Sequence, residues 1–152
     1  MAVWGIGAYN PSTYEDYSDR FIENKCAYIG YLPQKAKTIY QMVKYIKPGD
    51  LIFIKTVATK NKQMIIKAVG IVLDNDIQTL YDKSTETRMG EAFPVLWKAK
   101  MKDDMEENRF DMSKDHLNTY TTTIFEEYNT DVINYVIQKL LNPNANEIIP
   151  IK

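Results

Sequence analysis

Aromatic and polar side chains beside predicted turns are the residues of this chain best suited to chemistry. A flat ring such as a nucleobase is held by stacking on planar apolar surfaces and by donors and acceptors at its edge. The candidate stacking surfaces are Trp4, Tyr9, Tyr28 and Tyr31. The candidate edge readers are the backbone of Gly7 and Ala8, the side chain of Asn10, and Thr121, Thr122 and Thr123. Core packing is the alternative role for the aromatic residues, and simple β-propensity is the alternative for the threonines.

Lysines are concentrated in one part of the chain. Residues 32–67 contain eight lysines and one acidic residue, whereas from residue 71 onward fifteen acidic residues outnumber nine basic ones. A polarised chain can present a basic face although its net charge is only −1. Lys55, Lys60 and Lys62 are therefore candidates for phosphate contacts at the edge of a pocket. Solvation of a helix and a loop by exposed lysines is the alternative.

Residues suited to catalysis or metal binding are sparse. His116 is the one histidine, and Cys26, the one cysteine, lies in an apolar stretch. No second Cys or His is placed to build a zinc site. The chain contains no G-x-x-x-x-G-K-[ST] loop, and its Gly5-Ile6-Gly7 stretch does not precede a predicted helix, as a dinucleotide-binding motif requires. We therefore expect a binding protein with no enzymatic activity, no cofactor and no metal.

The length and composition indicate one ordinary globular domain over residues 1–152. No apolar run approaches the ~20 residues that a membrane helix needs, so we expect no membrane partner. No signal peptide is visible at the N-terminus. A single cysteine fits a reducing compartment, and we expect a cytoplasmic protein.

The hydrophobic pattern predicts a mixture of strands and helices. Strands are expected at residues 3–9, 26–31, 50–57, 64–74, 93–101 and 119–125. Helices are expected at residues 17–24, 34–46 and 132–141. A helical turn is expected at 76–82, loops at 83–91 and 102–116, and a loosely held tail from 145 onward. Pro48 and Gly49 predict a tight turn before the third strand, because Pro presets φ and Gly accepts positive φ.

The order of these elements resembles the PUA-like superfamily, and within it the EVE and YTH domains. The matching stretches are residues 4–9, 28–31, 48–55 and 66–72, which include the sequences PGDLIFIK and IKAVGIV. The resemblance implies an α+β fold in which helices flank a small β-barrel. It also implies recognition of an ordinary or a modified base, in a setting of bacterial or phage defence with any effector on a separate protein.

The expected function is therefore the binding of a nucleic acid base or a nucleotide without chemical change. A protein that captures a small signalling nucleotide is one alternative, a protein-binding adaptor is a second, and a small enzyme is a third. Salt-dependent binding of DNA or RNA would favour the first function. Length-independent binding of a free nucleotide would favour the signalling alternative.

Overall fold

A curled mixed sheet forms most of the computed structural model, which describes residues 1–10, 13–58, 62–102, 107–112, 122–144 and 148–151. Its strands, with a separate hairpin of β2 and β3, are β1 Val3–Gly7, β2 Tyr9–Asn10, β3 Glu15–Asp16, β4 Cys26–Ile29, β5 Leu51–Ala58, β6 Gln63–Val72, β7 Gln78–Tyr81, β8 Arg88–Met101, β9 Arg109–Asp111, β10 Ile124–Glu126 and β11 Ile148–Pro150. The helices are α1 Ser18–Glu23, α2 Lys37–Val43 and α3 Thr130–Leu141, and a short 3₁₀ helix spans Pro33–Lys35.

The sheet is curled, and its longest strand, β8, pairs with different neighbours along its two halves. The order is β10-β1-β5-β6-β8-β11, and β4 and β7 also pair with β8 while β9 pairs with β6. The first half of β8 pairs with β4 and β7, and its second half pairs with β6 and β11. β1 and β5 are parallel, and the other pairs are antiparallel. The result is an α+β half-barrel flanked by helices. This confirms the predicted α+β, barrel-like fold, and the barrel is only partly closed.

Side chains from the two faces of the sheet enter two hydrophobic clusters. On β5 successive side chains point to opposite faces of the sheet, and both faces are buried: Ile52 and Ile54 enter one cluster, and Leu51 and Phe53 enter the other. The first cluster lies between the sheet and helices α1 and α2. The second is covered by α3, which begins where the Asn129 side chain accepts a hydrogen bond from the Asp131 N–H.

The carboxylate of Asp50 joins the turn before β5 to the N-terminal strand. Asp50 is only 5% exposed, and its oxygens accept hydrogen bonds from the backbone N–H of Ala2, the indole N–H of Trp4 and the backbone N–H of Lys47, at 3.0, 2.9 and 2.9 Å. Burial alone would raise the pKa of this carboxyl, but the three donors outweigh burial and hold its pKa below the ordinary value of 3.8.

Several expected loops are paired strands. Residues 78–81 were expected to be part of a helical turn, but they form β7, which pairs with β8. Strand β8 itself begins at Arg88, inside a segment that was expected to be a loop. Residues 109–111 pair with β6, and residues 148–150 of the expected loose tail pair with β8. These segments are short, and β7 and β9 are mostly polar, so their strand conformation depends on neighbouring strands that no local pattern reveals.

Replacing Asp50 with Ala should lower the free energy of unfolding by about 3 kcal/mol, because it leaves the buried indole N–H of Trp4 and two partly buried backbone N–H groups without their acceptor. A carboxyl with a depressed pKa contributes stability that is present above pH 3.8 and lost as the pH falls. The stability gap between the wild type and D50A, measured by urea unfolding, should therefore narrow below about pH 4. D76A, which removes an exposed carboxylate, is the control; an equal loss in D76A would contradict the role of Asp50.

Candidate functional site

A cleft of about 700 Å³ opens beside the β2–β3 hairpin, helix α1 and the turn that joins β7 to β8. Its buried lining residues, which we call the floor, are Ala8, Phe21, Tyr28 and Lys55. Its exposed lining side chains, which we call the rim, are Tyr9, Glu15, Arg20, Tyr31, Thr85 and Thr87. The volume falls in the ~300–1,000 Å³ range of small-molecule sites.

The aromatic part of the cleft comes from α1 and β4. The rings of Phe21 and Tyr28 lie 4.6 Å apart between centroids at 60°, and the rings of Tyr17 and Tyr28 lie 6.1 Å apart at 37°. Tyr17 precedes α1 and donates its backbone N–H to the carbonyl of Ala8 at 2.7 Å. Burial raises the pKa of Tyr28 to about 12, so its hydroxyl is protonated throughout the neutral range. These rings provide planar apolar surface at and near the floor.

Two guanidinium groups flank this surface. Arg20 on α1 lies with its Cζ 4.9 Å from the centroid of the Tyr17 ring, and its Nη2 lies 3.5 Å from a Glu15 oxygen. Arg88 at the start of β8 donates from Nη1 to the carbonyl of Gly30 at 3.0 Å. It also pairs with Glu91 at 3.2 Å. Guanidinium groups suit phosphate and carboxylate ligands, because their fork of N–H donors matches these oxygens.

Ion pairs hold the elements around the cleft to the sheet. Lys67 on β6 pairs with Asp16 of the β2–β3 hairpin, and Lys100 on β8 pairs with Asp19 of α1 at 2.7 Å. The hydroxyl of Tyr40 on α2 donates to the carbonyl of Tyr31, which keeps the rim close to that helix. The walls of the cleft are therefore anchored to separate strands and helices of the fold.

Lys55 is a buried cation on the floor. Its side chain is only 6% exposed, and its Nζ lies 5.9 Å from the centroid of the Phe125 ring. The register of β5 against β6 shifts between Ile54 and Lys55, and such bulges commonly redirect a side chain beside a site. Gly7 stands opposite Lys55 on β1, and a Cβ at Gly7 would lie 3.4 Å from the Lys55 Cε. Burial lowers the pKa of the Lys55 amine from 10.5 to about 8.

The structure brings together most of the residues expected from the sequence. The cleft is lined by Gly7, Ala8, Tyr9, Asn10, Tyr28, Tyr31, Lys55 and Thr123. The Gly7 N–H already donates to the Thr123 carbonyl at 2.7 Å, so this N–H is not available to read a base edge. Lys55 lies in the floor, and the expectation that it is an exposed edge contact is corrected.

Other expected residues lie elsewhere. Trp4 is 1% exposed and donates its indole N–H to Asp50, so it belongs to the core and not to the cleft. The exposed Thr122 donates its hydroxyl to the carbonyl of Ile124 at 3.3 Å and does not line the cleft. Lys62 is exposed and also outside the lining. Lys60, Thr121 and His116 lie outside the described residues.

Sequence reasoning missed Tyr17, Phe21, Arg20 and Arg88. The one signal for the arginines is their rarity, because the chain has sixteen lysines and three arginines, and two of the three line the cleft. Phe21 carries no such signal, since its position on the apolar side of α1 indicates core packing. Arg88 lies in a stretch that was expected to be a loop.

Within the described part of the chain, no three or more His, Cys, Asp or Glu side chains are grouped as metal ligands. Cys26 is buried, and burial raises the pKa of its thiol to about 11, which disfavours the nucleophilic thiolate. None of the helices in the described ranges is long and apolar enough to cross a membrane.

Solved structures with a similar fold include YTH domains. The YTH domain of the Zygosaccharomyces rouxii MRB1 protein, solved with N6-methyladenosine RNA, superposes with a TM-score of 0.54 at 11% identity, over 92% of this chain and 87% of that one. The Pho92 YTH domain, solved with m6A, superposes with a TM-score of 0.56 at 15% identity, over 99% and 88%. This chain has a YTH-like fold. Searches with protein-family models and against curated protein sequences found no match. At these identities the likeness to YTH domains is one of fold.

Replacing Lys55 with Met should raise the stability of this YTH-like domain at pH 7 by up to about 3 kcal/mol, because Met fills similar space without a buried charge. The sign follows from the lowered pKa: burial of the ammonium is unfavourable below about pH 8, and this penalty disappears as the pH rises from about 8 to 10.5. The gap between K55M and the wild type, measured by chemical unfolding, should therefore close over that range.

The matched control is K44M, which removes an exposed lysine at the end of α2. Its stability difference from the wild type should be small at every pH. A K55M protein that is less stable than the wild type at pH 7 would show that the Lys55 amine is a net stabilising group.

Proposed function

We propose that the protein binds a single base of a nucleic acid strand in the cleft and leaves it chemically unchanged. The observation that carries this proposal is that one cleft contains aromatic surface, the buried Lys55 amine and the guanidinium groups of Arg20 and Arg88. A base removed from its stack needs planar surface on its faces and polar partners at its edge, and its phosphates need cations nearby. The cleft offers all of these.

The exposed rings of the rim are suited to the faces of a base. Tyr9 is 48% exposed and Tyr31 is 56% exposed, and both line the cleft. Both tryptophans of the chain are buried in the core, so the stacking surface is made of Tyr and Phe rings. Stacking of a base on an aromatic side chain is worth about 1–3 kcal/mol by alanine substitution.

Arg20 and Arg88 are suited to the phosphates on either side of the bound base. The Arg20 side chain is exposed and the Arg88 side chain is half-buried, so both guanidinium groups remain near water, where phosphates are solvated. The carboxylates that pair with them, Glu15 and Glu91, hold the two groups in place in the absence of a ligand. Phosphate contacts of this kind make affinity depend on salt concentration.

The proposal includes a modified base as the ligand. The two YTH domains with a similar fold were solved with N6-methyladenosine, which supports a modified base as the kind of ligand to test. A defence setting, a separate effector protein and a cytoplasmic location are implied by the resemblance to EVE domains and by the sequence, and they belong to the same proposal.

A free signalling nucleotide is the second candidate ligand. The observation that favours it is that three cations, Lys55, Arg20 and Arg88, line a single cleft. One nucleotide with several phosphates would satisfy three cations without a strand. The two candidates differ in length dependence, because only a strand gains affinity from neighbouring nucleotides.

Replacing Tyr9 or Tyr31 with Ala should weaken binding of single-stranded oligonucleotides about tenfold or more, because each change removes a stacking surface. The melting temperature should change little, since both rings are exposed. Fluorescence anisotropy and thermal unfolding measure the two quantities on the same protein. Y45A, which truncates an exposed tyrosine outside the cleft, should bind as the wild type does. Equal losses in Y45A and Y9A would place the interaction elsewhere.

Replacing Arg20 or Arg88 with Met should make the plot of log affinity against log salt concentration less steep. Each substitution should lower the slope by about the amount that one phosphate contact contributes. The same affinity titrations at four salt concentrations measure this slope. K44M is the control for a general loss of positive charge and should leave the slope unchanged. A free mononucleotide that binds as tightly as a six-nucleotide strand would favour the signalling nucleotide instead.

A further inference from the structure

Tyr40 lies outside the cleft but contacts the backbone of its rim. Its ring, on α2, is half-buried and packs against the first hydrophobic cluster, and it is not among the residues that line the cleft. Its hydroxyl oxygen lies 2.5 Å from the carbonyl oxygen of Tyr31 and 3.4 Å from that of Ile29. A hydroxyl has one proton to donate, and the shorter distance assigns that proton to Tyr31. Tyr40 therefore holds the backbone of a residue that lines the cleft.

The backbone at Tyr31 depends on side-chain contacts because it lies beyond the sheet. The pairing of β4 with β8 ends where Ile29 stands opposite Glu91, and the 3₁₀ helix begins only at Pro33. Gly30 and Tyr31 lie between these two elements and belong to neither a strand nor a helix. The carbonyl groups of both residues accept hydrogen bonds from side chains of other elements.

Arg88 is the second side chain that holds this segment. Its Nη1 donates to the Gly30 carbonyl at 3.0 Å, and its Nη2 lies 3.4 Å from the Tyr31 carbonyl oxygen. The same Nη2 lies 3.2 Å from an oxygen of Glu91, so this nitrogen is shared between two acceptors. The hydroxyl of Tyr40 is thus the closer of the two donors to the Tyr31 carbonyl.

The surroundings of Tyr40 keep its hydroxyl protonated, as a donor must be. Burial raises the pKa of Tyr40 above its ordinary value of 10.0, and the Glu91 carboxylate acts in the same direction, whereas Arg88 acts against both. The hydroxyl is therefore a hydrogen-bond donor throughout the neutral pH range.

The exposure of this hydrogen bond decides what it contributes. The bond between Tyr40 and Tyr31 lies at the surface, so water can replace the hydroxyl as donor and folding loses little without it. Water satisfies the carbonyl oxygen but does not fix its position. The Tyr31 side chain is 56% exposed, so the direction of its ring depends largely on the backbone that bears it. A ligand that stacks on a loosened Tyr31 would carry the additional cost of ordering it.

We propose that Tyr40 is a positioning residue for base binding: its hydroxyl fixes the backbone at Tyr31 and so keeps the Tyr31 ring where it can stack on the ligand. This inference rests on the proposed function and adds to it a residue that touches no ligand. It also makes affinity depend on α2, although no residue of α2 lines the cleft.

The test is a double-mutant cycle on binding. Y40F removes the hydroxyl and keeps the ring in the hydrophobic cluster. It is combined with Y31A and, separately, with Y9A, which truncates the other exposed tyrosine of the rim. Y45F, which removes the hydroxyl of an exposed tyrosine outside the cleft, is the matched control.

The probes are three fluorescein-labelled strands, each six nucleotides long: RNA of random sequence, DNA of random sequence, and RNA with one central N6-methyladenosine. Fluorescence anisotropy measures the affinity of each variant for the probe that the wild type binds most tightly. Thermal unfolding shows that the measured affinities refer to folded protein.

Y40F should weaken binding about threefold to tenfold, as expected for the loss of one ordinary hydrogen bond, with little change in melting temperature. In the Y31A background the same substitution should change affinity by less than about twofold, because no ring remains to be positioned. In the Y9A background the full loss should remain. The salt dependence of binding should be unchanged in Y40F, since no charge is removed. Y45F should bind as the wild type does.

The outcomes separate this inference from the proposed function. Wild-type affinity in Y40F, or an equal loss with and without the Tyr31 ring, overturns the inference while base binding stands. A loss that also disappears in the Y9A background shows that the hydroxyl acts on the whole cleft, and a less steep salt dependence shows that it acts through Arg88; either result overturns the inference. If Y31A binds as the wild type does, stacking on Tyr31 fails, and if no probe binds, base binding itself fails; in both cases the inference fails as well.

Discussion

The hydrogen bonds to the Asp50 carboxylate are the interaction on which the rest of the structure depends. They join the backbone of Ala2 and Lys47 and the indole of Trp4 to one buried carboxylate. This arrangement sets β1 beside β5 as a parallel pair, which no tight turn can connect. The register of that pair then places Gly7 against Lys55, and the cleft opens where these two residues meet the elements inserted between their strands.

The cleft combines rigid and exposed parts in a way that suits recognition. Its floor belongs to the hydrophobic core, since Phe21, Tyr28 and Ala8 are members of the same cluster as Ile6 and Ile54. Its rim includes two exposed tyrosines and part of a turn in which the Asp82 carboxylate accepts hydrogen bonds from Ser84 and Thr85. A preformed floor lowers the entropy cost of ordering a site when a ligand enters.

The long strands and α3 could be predicted from the sequence because their apolar signals are strong: residues 51–54 form a continuous apolar run after a Pro-Gly turn, and apolar residues recur at helical spacing in 132–140. The short strands β7, β9 and β11 could not, because their conformation comes from pairing with distant strands. For the cleft, the position of aromatic residues beside predicted turns correctly indicated two rim residues, Tyr9 and Tyr31. Trp4 was misplaced because a sequence does not reveal that a distant carboxylate will accept its N–H. Arg88 was missed because pairing with a distant strand turns a polar stretch into β8.

The parallel pairing of β1 also determines when the cleft can exist. Trp4 pairs with Ile52 on one side and with Glu126 on the other, so its neighbours come from the middle and the far end of the chain. Contacts across such separations are slow to form, since long loops must close first. Thr123, which lines the cleft, precedes β10 in that late segment. On a ribosome the lining of the cleft can therefore be complete only after Thr123 and β10 have been synthesised, which is late in the chain.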